Sequence, residues 1–256
     1  MIERKRILIT VKTYPLPSKT YLELVCTAGM LEDGTFIRLY PIDYRYRPIY
    51  QWYKKYQWIE VEVEKNDKDN RKESFRPNVQ TIKILGKPLG TKNGWAERKA
   101  VVLRHSACSI EYLWEMQKKD NTSLGLVKPK EVLDVTYEYD AEEWKNKWKA
   151  DINQLRLFGP QRKALEKIPF KFKYHFICNG PCCRGHKMMI EDWEVGELYR
   201  KEVQRLKEKE KAAQSVRKKL LDMCDANRDP YFFVGTVLKY KTWIIAGVFW
   251  PPKETK

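Results

Sequence analysis

A β-rich α+β chain assembled from small barrels is the fold that the sequence predicts, and three observations carry it. Short runs of β-branched and aromatic residues, set off by turn signals, recur through both halves of the chain. Helical periodicity is confined to a few connections. Neither a G-x-G-x-x-G loop nor a Walker-type loop is present, which argues against a nucleotide-hydrolysing engine, and the many short strands favour barrels over an alternating parallel sheet. The 256 residues are 43% hydrophobic and 13% aromatic, enough to bury a substantial core and to exclude a disordered chain.

Each element has its own signal. "RILITVKTY" is a β-branched strand, and "TYLELVCTAGM" and "GTFIRLYPI" flank "LEDG", whose Asp33-Gly34 pair marks a hairpin. "QWIEVEVEK" alternates apolar and acidic residues from Trp58 to Glu64, as a half-buried strand does, and "VQTIKIL" supplies the next strand. "GWAERKAVVLRH" and "SIEYLWEMQKK" are helical, with Ser109 placed to cap the second. "KDNTSLGLVKPKE" is the most linker-like stretch and divides the chain into residues 1–120, a first barrel with a helical extension, and residues 121–256. The second half opens with the strand "EVLDVTYEY" and a short helix in "AEEWKNKWKADI". "PFKFKYHFIC", a Cys/His-rich turn, one long helix inserted from about Asp192 to Cys224, and a terminal hairpin of "YFFVGTVLKY" and "WIIAGVFWPP" complete it.

Several of these strings together, "KTYP", "ELVCTAGM", "IRLYPI", "GH" followed by "DWE", and the closing "FFVGT" with "GVFWPP", resemble a bacterial family described as dual OB-containing domain proteins. The resemblance spans nearly the whole chain. It implies two small OB-like β-barrels and a nucleic-acid partner, and it carries over no catalytic residues.

Charge narrows the function independently. Fifty Lys and Arg face thirty-four Asp and Glu, a formal +16, which favours a polyanionic partner and nucleic acid above all. A membrane partner is not expected, because no apolar run approaches the roughly 20 residues of a span. The start, "MIERKRILITVKTY", lacks a signal-peptide core, which predicts a cytoplasmic protein whose six cysteines are thiols or metal ligands.

Residues 38 to 58, "RLYPIDYRYRPIYQWYKKYQW", hold eight aromatic and five basic residues. Single-stranded nucleic acid is gripped by rings that stack on bases and by cations that meet the backbone. Arg38, Arg45, Arg47, Lys54 and Lys55 are the candidate phosphate contacts, with Tyr44 and Tyr50 the stacking candidates. Strand spacing would put Arg45 and Arg47 on one face.

The turn "CNGPCCRGHKMMIEDWE" raises a second possibility. Cys183 and His186 stand at C-x-x-H spacing and Cys178 five residues earlier, three ligands for a zinc knuckle. The fourth ligand is open among Cys224, His175 and Asp192, and cysteines packing an apolar turn are the competing reading. His186, Asp192 and Glu194 also contain the groups of a metal-dependent nuclease, although Asp192 and Glu194 suit a helix start equally well. The apolar stripe of the long helix, Val195 to Leu220, offers a protein-interaction adaptor as a third function.

Overall fold

The computed structural model describes residues 1–18, 22–107, 109–145, 165–181, 183–237 and 242–254. The helical piece expected across residues 141–152 falls for the most part outside them. The architecture is β-rich α+β, with thirteen strands and four α-helices among the described residues, and one closed five-stranded barrel.

The first half, from β1 (Ile2–Lys12) to α2 (Ile110–Asp120), follows the sequence reading closely. β1 pairs antiparallel with β3 (Leu22–Met30) on one side and with β5 (Trp58–Lys65) on the other. β3 pairs with β4 (Phe36–Ile42), and β4 runs parallel to β6 (Ser74–Pro77). β6 returns to β5 and closes the circuit. Counted in chain order, the five barrel strands are joined 1-2-3-5-4-1, and the single parallel contact lies between the third and fifth. Two short strands sit outside the circuit: β2 (Leu16–Ser18) on β3 and β7 (Lys83–Leu85) on β5. Alternation does the sorting: Ile59, Val61 and Val63 point inward with Ile7, Ile9, Ile37 and Leu39. Each contributes roughly 1.5–3 kcal/mol by leaving water. Asp33 and Gly34 make the expected turn, with the Leu31 amide donating to the Thr35 carbonyl at 2.9 Å.

Two helices follow the barrel. α1 (Lys92–Val102) opens with three left-handed residues, Asn93, Gly94 and Trp95 (φ 49°, 61° and 67°). α2 begins at Ser109, whose hydroxyl accepts the Tyr112 amide at 3.1 Å.

Two three-stranded sheets make up the rest. In one, β10 (Phe170–Cys178) lies between β9 (Pro129–Tyr139) and β11 (His186–Met189); in the other, β12 (Tyr231–Val237) lies between β8 (Leu124–Val127) and β13 (Thr242–Phe249). Only Lys128 separates β8 from β9, and a parallel bridge joins Ile190 to Ile245.

The single long helix expected from Asp192 to Cys224 is instead two, α3 (Trp193–Leu206) and α4 (Lys209–Asp222). Lys207 takes the left-handed conformation (φ 59°) and its amide returns to the Val203 carbonyl, which ends α3. α4 then folds back, so that the Ser215 hydroxyl donates to Glu202 at 2.6 Å. Ala213, Val216 and Leu220 are thereby fully buried in the protein's own core. The apolar stripe on which the adaptor alternative rested thus packs mainly on the protein's own core. No helix among the described residues is long and apolar enough to cross a membrane.

A third apolar cluster fastens the halves, with Val11, Met30 and Tyr56 from one side packed on Leu126, Phe233 and Phe249 from the other. Beside it lies a polar clasp. Arg38, 1% exposed, donates to the Ser123 hydroxyl at 2.6 Å and to the Ser123 carbonyl at 3.0 Å. Glu73 accepts the Ser123 amide at 3.0 Å and its hydroxyl at 2.7 Å. Removing one partner of such a buried charged network typically costs about 3–5 kcal/mol, because the charge left behind has no water. Arg38→Met is therefore expected to lower the unfolding free energy by about that amount in urea denaturation. A loss below about 1 kcal/mol would show that the clasp does not hold the halves together.

Candidate functional site

The basic aromatic segment connects β4 to β5, and its local chemistry decides which side chains reach the surface. Pro41 and Pro48 bracket it, and residues 44–46 form a 3-10 turn, not a strand, with the Arg47 amide donating to the Tyr44 carbonyl at 3.2 Å. Strand spacing thus does not apply to Arg45 and Arg47. Arg45 meets both Glu23 oxygens at 2.9 Å, and Arg47, whose side chain is 9% exposed, donates to Gln51 and Gln80. Tyr44 is buried, its hydroxyl donating to the Tyr53 carbonyl at 2.6 Å and its ring stacked on Trp52. Arg38 belongs to the clasp described above, and Lys55 is buried too. Of the seven candidate contacts, Tyr50 and Lys54 stand at the surface.

Lys55 spans the two halves. Its ammonium lies 2.8 Å from Asp192 Oδ2 and 3.1 Å from Glu194 Oε2. Burial by itself would discharge it, yet the Asp192 and Glu194 carboxylates outweigh that and raise its pKa. Asp192 also caps α3, accepting the Glu194 amide at 3.0 Å. The next residue, Trp193, is set edge-on to Tyr44 with ring centroids 5.4 Å apart. Gly196 allows the close approach of Tyr14, since a β-carbon there would lie 2.4 Å from Tyr14 Cδ2.

Above this junction opens a cleft of about 790 Å³. Lys12, Lys54, Arg98 and Arg228 line it beside Trp95, Trp193 and Trp250, with Glu194 and Glu197 as the acids. The cations lie against rings: Arg98 is 4.1 Å from the Tyr56 centroid and 4.9 Å from Trp95, and Arg228 is 4.9 Å from Trp250. Lys12 lies 4.5 Å from the Tyr44 centroid and 5.1 Å from Trp193. Burial lowers the Lys12 pKa to about 8, with the Lys55 charge adding to the effect and the Glu194, Asp192 and Glu197 carboxylates opposing it. Trp95 holds its place in the left-handed region, a conformation that costs a bulky residue free energy and recurs where a binding surface requires it. Apart from Lys54, these residues escape a reading of the sequence because they come from β1, α1, α3 and the segments flanking the last two strands, far apart in the chain. Only the pairing of Trp with Arg in "GWAER" hints at them.

The Cys/His turn gathers a different set. Sulfurs of Cys178 and Cys183, a nitrogen of His186 and an oxygen of Glu111 all lie within 4.8 Å of one another, a group able to hold a metal ion. The fourth position is filled by Glu111, from the first turn of α2, and not by the residues expected there. His175 faces Thr136 at 2.9 Å, Cys224 lies near the Tyr174 hydroxyl, and Asp192 caps α3. His186, Asp192 and Glu194 are not drawn together: His186 pairs with Glu111 at 3.0 Å while Lys55 takes both acids. Among the described residues, Glu111, Cys178, Cys183 and His186 form the one such ligand group.

Comparison with known proteins adds a family and little more. No curated protein matches the chain. A solved structure described as "Structure of murine DNA binding protein bound with ds DNA" matches at 8% identity and a TM-score of 0.31, covering 99% of this chain and 97% of that one. At that TM-score the likeness carries no argument. Residues 3–104 match the family described as "Domain of unknown function (DUF8758)", and residues 103–256 match "Domain of unknown function (DUF8757)". With more than half of its length under the second of these models, the chain belongs to the DUF8757 family.

Proposed function

We propose that the protein binds single-stranded nucleic acid in the cleft between its halves. The observation that carries this reading is the mixture on the cleft walls: Lys12, Lys54, Arg98 and Arg228 interleaved with Trp95, Trp193 and Trp250. Cations there would neutralise phosphates, and indole faces suit unpaired bases, each stacked base contributing roughly 1–3 kcal/mol. A cleft of about 790 Å³ suits a few nucleotides of one strand and is small for a duplex. The +16 charge of the chain would draw any polyanion toward it.

The OB-like reading of both halves supports the same partner. The 1-2-3-5-4-1 circuit of the first barrel is a Greek-key arrangement of the type that binds oligonucleotides elsewhere. The second half follows the same path if β8 and β9 count as one bent strand: β9 on β10, β10 on β11, Ile190 bridged to β13, β13 on β12, and β12 back to β8. On this reading the helical pair α3–α4 occupies the same place in the second barrel as the basic aromatic segment does in the first. On the same reading Lys54 keeps the contact role expected from sequence and Lys55 shapes the cleft wall, whereas Arg38, Tyr44, Arg45, Arg47 and Tyr50 do not line the cleft.

Two kinds of variant separate the contributions in fluorescence-anisotropy titrations at several salt concentrations. Lys54→Ala and Arg228→Ala are expected to weaken binding to every oligonucleotide and to shrink the salt slope by about 0.7 for each phosphate no longer neutralised. Trp250→Ala is expected to lose roughly 1–3 kcal/mol with the slope unchanged. Lys118 and Lys119, exposed on α2 and outside the cleft, are the charge controls. Equal losses in those controls would reduce the effect to general charge, and a wild-type protein that binds no oligonucleotide would end the reading.

Lys12 adds a pH dependence. With its pKa lowered to about 8, the amine loses its charge as pH rises from 7 to 9, a range in which an ordinary lysine stays protonated. Oligonucleotide affinity should fall across that range in wild type, and Lys12→Met should abolish this component of the fall. A pH profile identical in the two proteins would remove Lys12 from the contact set.

A further inference from the structure

We propose that Glu111, Cys178, Cys183 and His186 hold one zinc ion in a closed site that pins the start of α2 to the β10–β11 hairpin. The site is separate from the cleft and does not depend on nucleic-acid binding.

Distances come first. Zinc bonds of about 2.0–2.3 Å place tetrahedral ligands roughly 3.3–3.8 Å apart. Cys183 Sγ lies 3.4 Å from His186 Nε2, His186 Nε2 lies 3.0 Å from Glu111 Oε1, and no pair in the group exceeds 4.8 Å. Small side-chain adjustments would bring the four atoms to bonding distance of one ion.

An unpaired acceptor is the second observation. Glu111 Oε2 is buried and has no hydrogen-bond partner, although its sister oxygen faces His186. A buried carboxylate oxygen without a partner costs free energy. A His186–Glu111 contact alone accounts for one oxygen and leaves the second without a partner. A cation among the four residues would offset that buried charge.

Cys183 Sγ receives the amide of Cys178 at 3.1 Å and that of Gly185 at 3.4 Å. Two amides converging on one sulfur make a more polar setting than an apolar cysteine pocket supplies. Gly185 is left-handed at φ 92°, which lets the short C-x-x-H turn aim its amide inward. The imidazole is held from both sides, edge-on to Trp114 at 5.7 Å and tilted against Phe176 at 5.3 Å.

Ligand chemistry selects the ion. Two sulfurs disfavour magnesium and calcium, and a mixed sulfur, nitrogen and oxygen tetrahedron suits zinc. Four protein ligands leave no open position, so the site is structural and not hydrolytic. Its mechanical effect follows from where the ligands sit: Glu111 on α2, Cys178 at the end of β10, Cys183 in the turn and His186 at the start of β11. α2 in turn carries Leu113, packed over Gly125, and Gln117, which accepts the Trp243 indole N–H at 2.8 Å. Zinc would thus fix the helix that leads out of the first half onto the sheets of the second.

Elemental analysis of the full-length protein is expected to give about one zinc per chain, and chelation should lower its melting temperature. After exchange, Co²⁺ should show the absorption of a tetrahedral ion with thiolate-to-metal charge transfer. Cys183→Ser should lose the metal. Glu111→Gln keeps the shape of the side chain and should weaken zinc by about tenfold or more, since a direct ligand matters at least as much as an outer-shell partner. Protein that takes up far less than one equivalent when zinc is supplied, or a Co²⁺ complex without charge transfer, overturns the site. Wild-type affinity in Glu111→Gln overturns the ligand set proposed. Should Cys183→Ser fail to fold, the wild-type Co²⁺ spectrum and the Glu111→Gln titration decide the matter.

Discussion

The ion pair of Lys55 with Asp192 ties together most of what is functional in this chain, because both groups are almost wholly withdrawn from water and neither has a good alternative. The side chains are each 4% exposed and 2.8 Å apart. Burying two charges costs several kcal/mol per ion, which their attraction and further hydrogen bonds must offset. Asp192 meets that demand with the Glu194 amide at the start of α3, and Lys55 with the second carboxylate of Glu194. The pair is a weak source of net stability and a strong source of position. It sets the first turn of α3 against the β4–β5 connection, and so fixes Trp193 and Lys12 in one wall of the cleft, each in contact with the buried Tyr44 ring.

The basic residues of the chain divide into two populations with different work. Arg38, Arg47 and Lys55 are buried among carboxylates, amides and carbonyls, where they organise the first barrel and its junction with the second half. Lys54, Arg98 and Arg228 line the cleft, Lys54 exposed and the two arginines against rings that leave part of their charge available to a ligand. The count of fifty Lys and Arg includes both kinds, so fewer cations are open to a partner than that count suggests.

Much of the fold was legible because alternation and capping are local. The Trp58–Glu64 strand, the Asp33-Gly34 turn, the Ser109 cap and the Asp192 cap each declare themselves within a few residues. The break at Lys207 did not, since a left-handed lysine carries none of the glycine signal that normally marks a helix end. Arg38 misled for the opposite reason: a guanidinium in a strand looks exposed until a distant Ser123 offers it a hydroxyl and a carbonyl. Three of the four Cys/His-cluster residues were visible in one turn, and the fourth, Glu111, lies 67 residues before Cys178 on a helix whose docking no local pattern encodes. The cleft was the least legible feature, because its walls meet only once both halves are folded.

The clasp at Ser123 has a consequence for how the chain came to be assembled. Two charged side chains of the first half bind the main chain of residue 123 as well as its hydroxyl. Main-chain recognition is indifferent to residue identity, so drift at position 123 forfeits the hydroxyl bonds alone, whereas removing Arg38 or Glu73 strands a charge. The two sides of the seam therefore carry unequal mutational freedom. Excising either half would expose the seam's apolar cluster, and excising the second would also leave the Arg38 guanidinium and the Glu73 carboxylate without their partner. Two family models describe the chain, and one seam of apolar packing and buried charge joins the segments they cover.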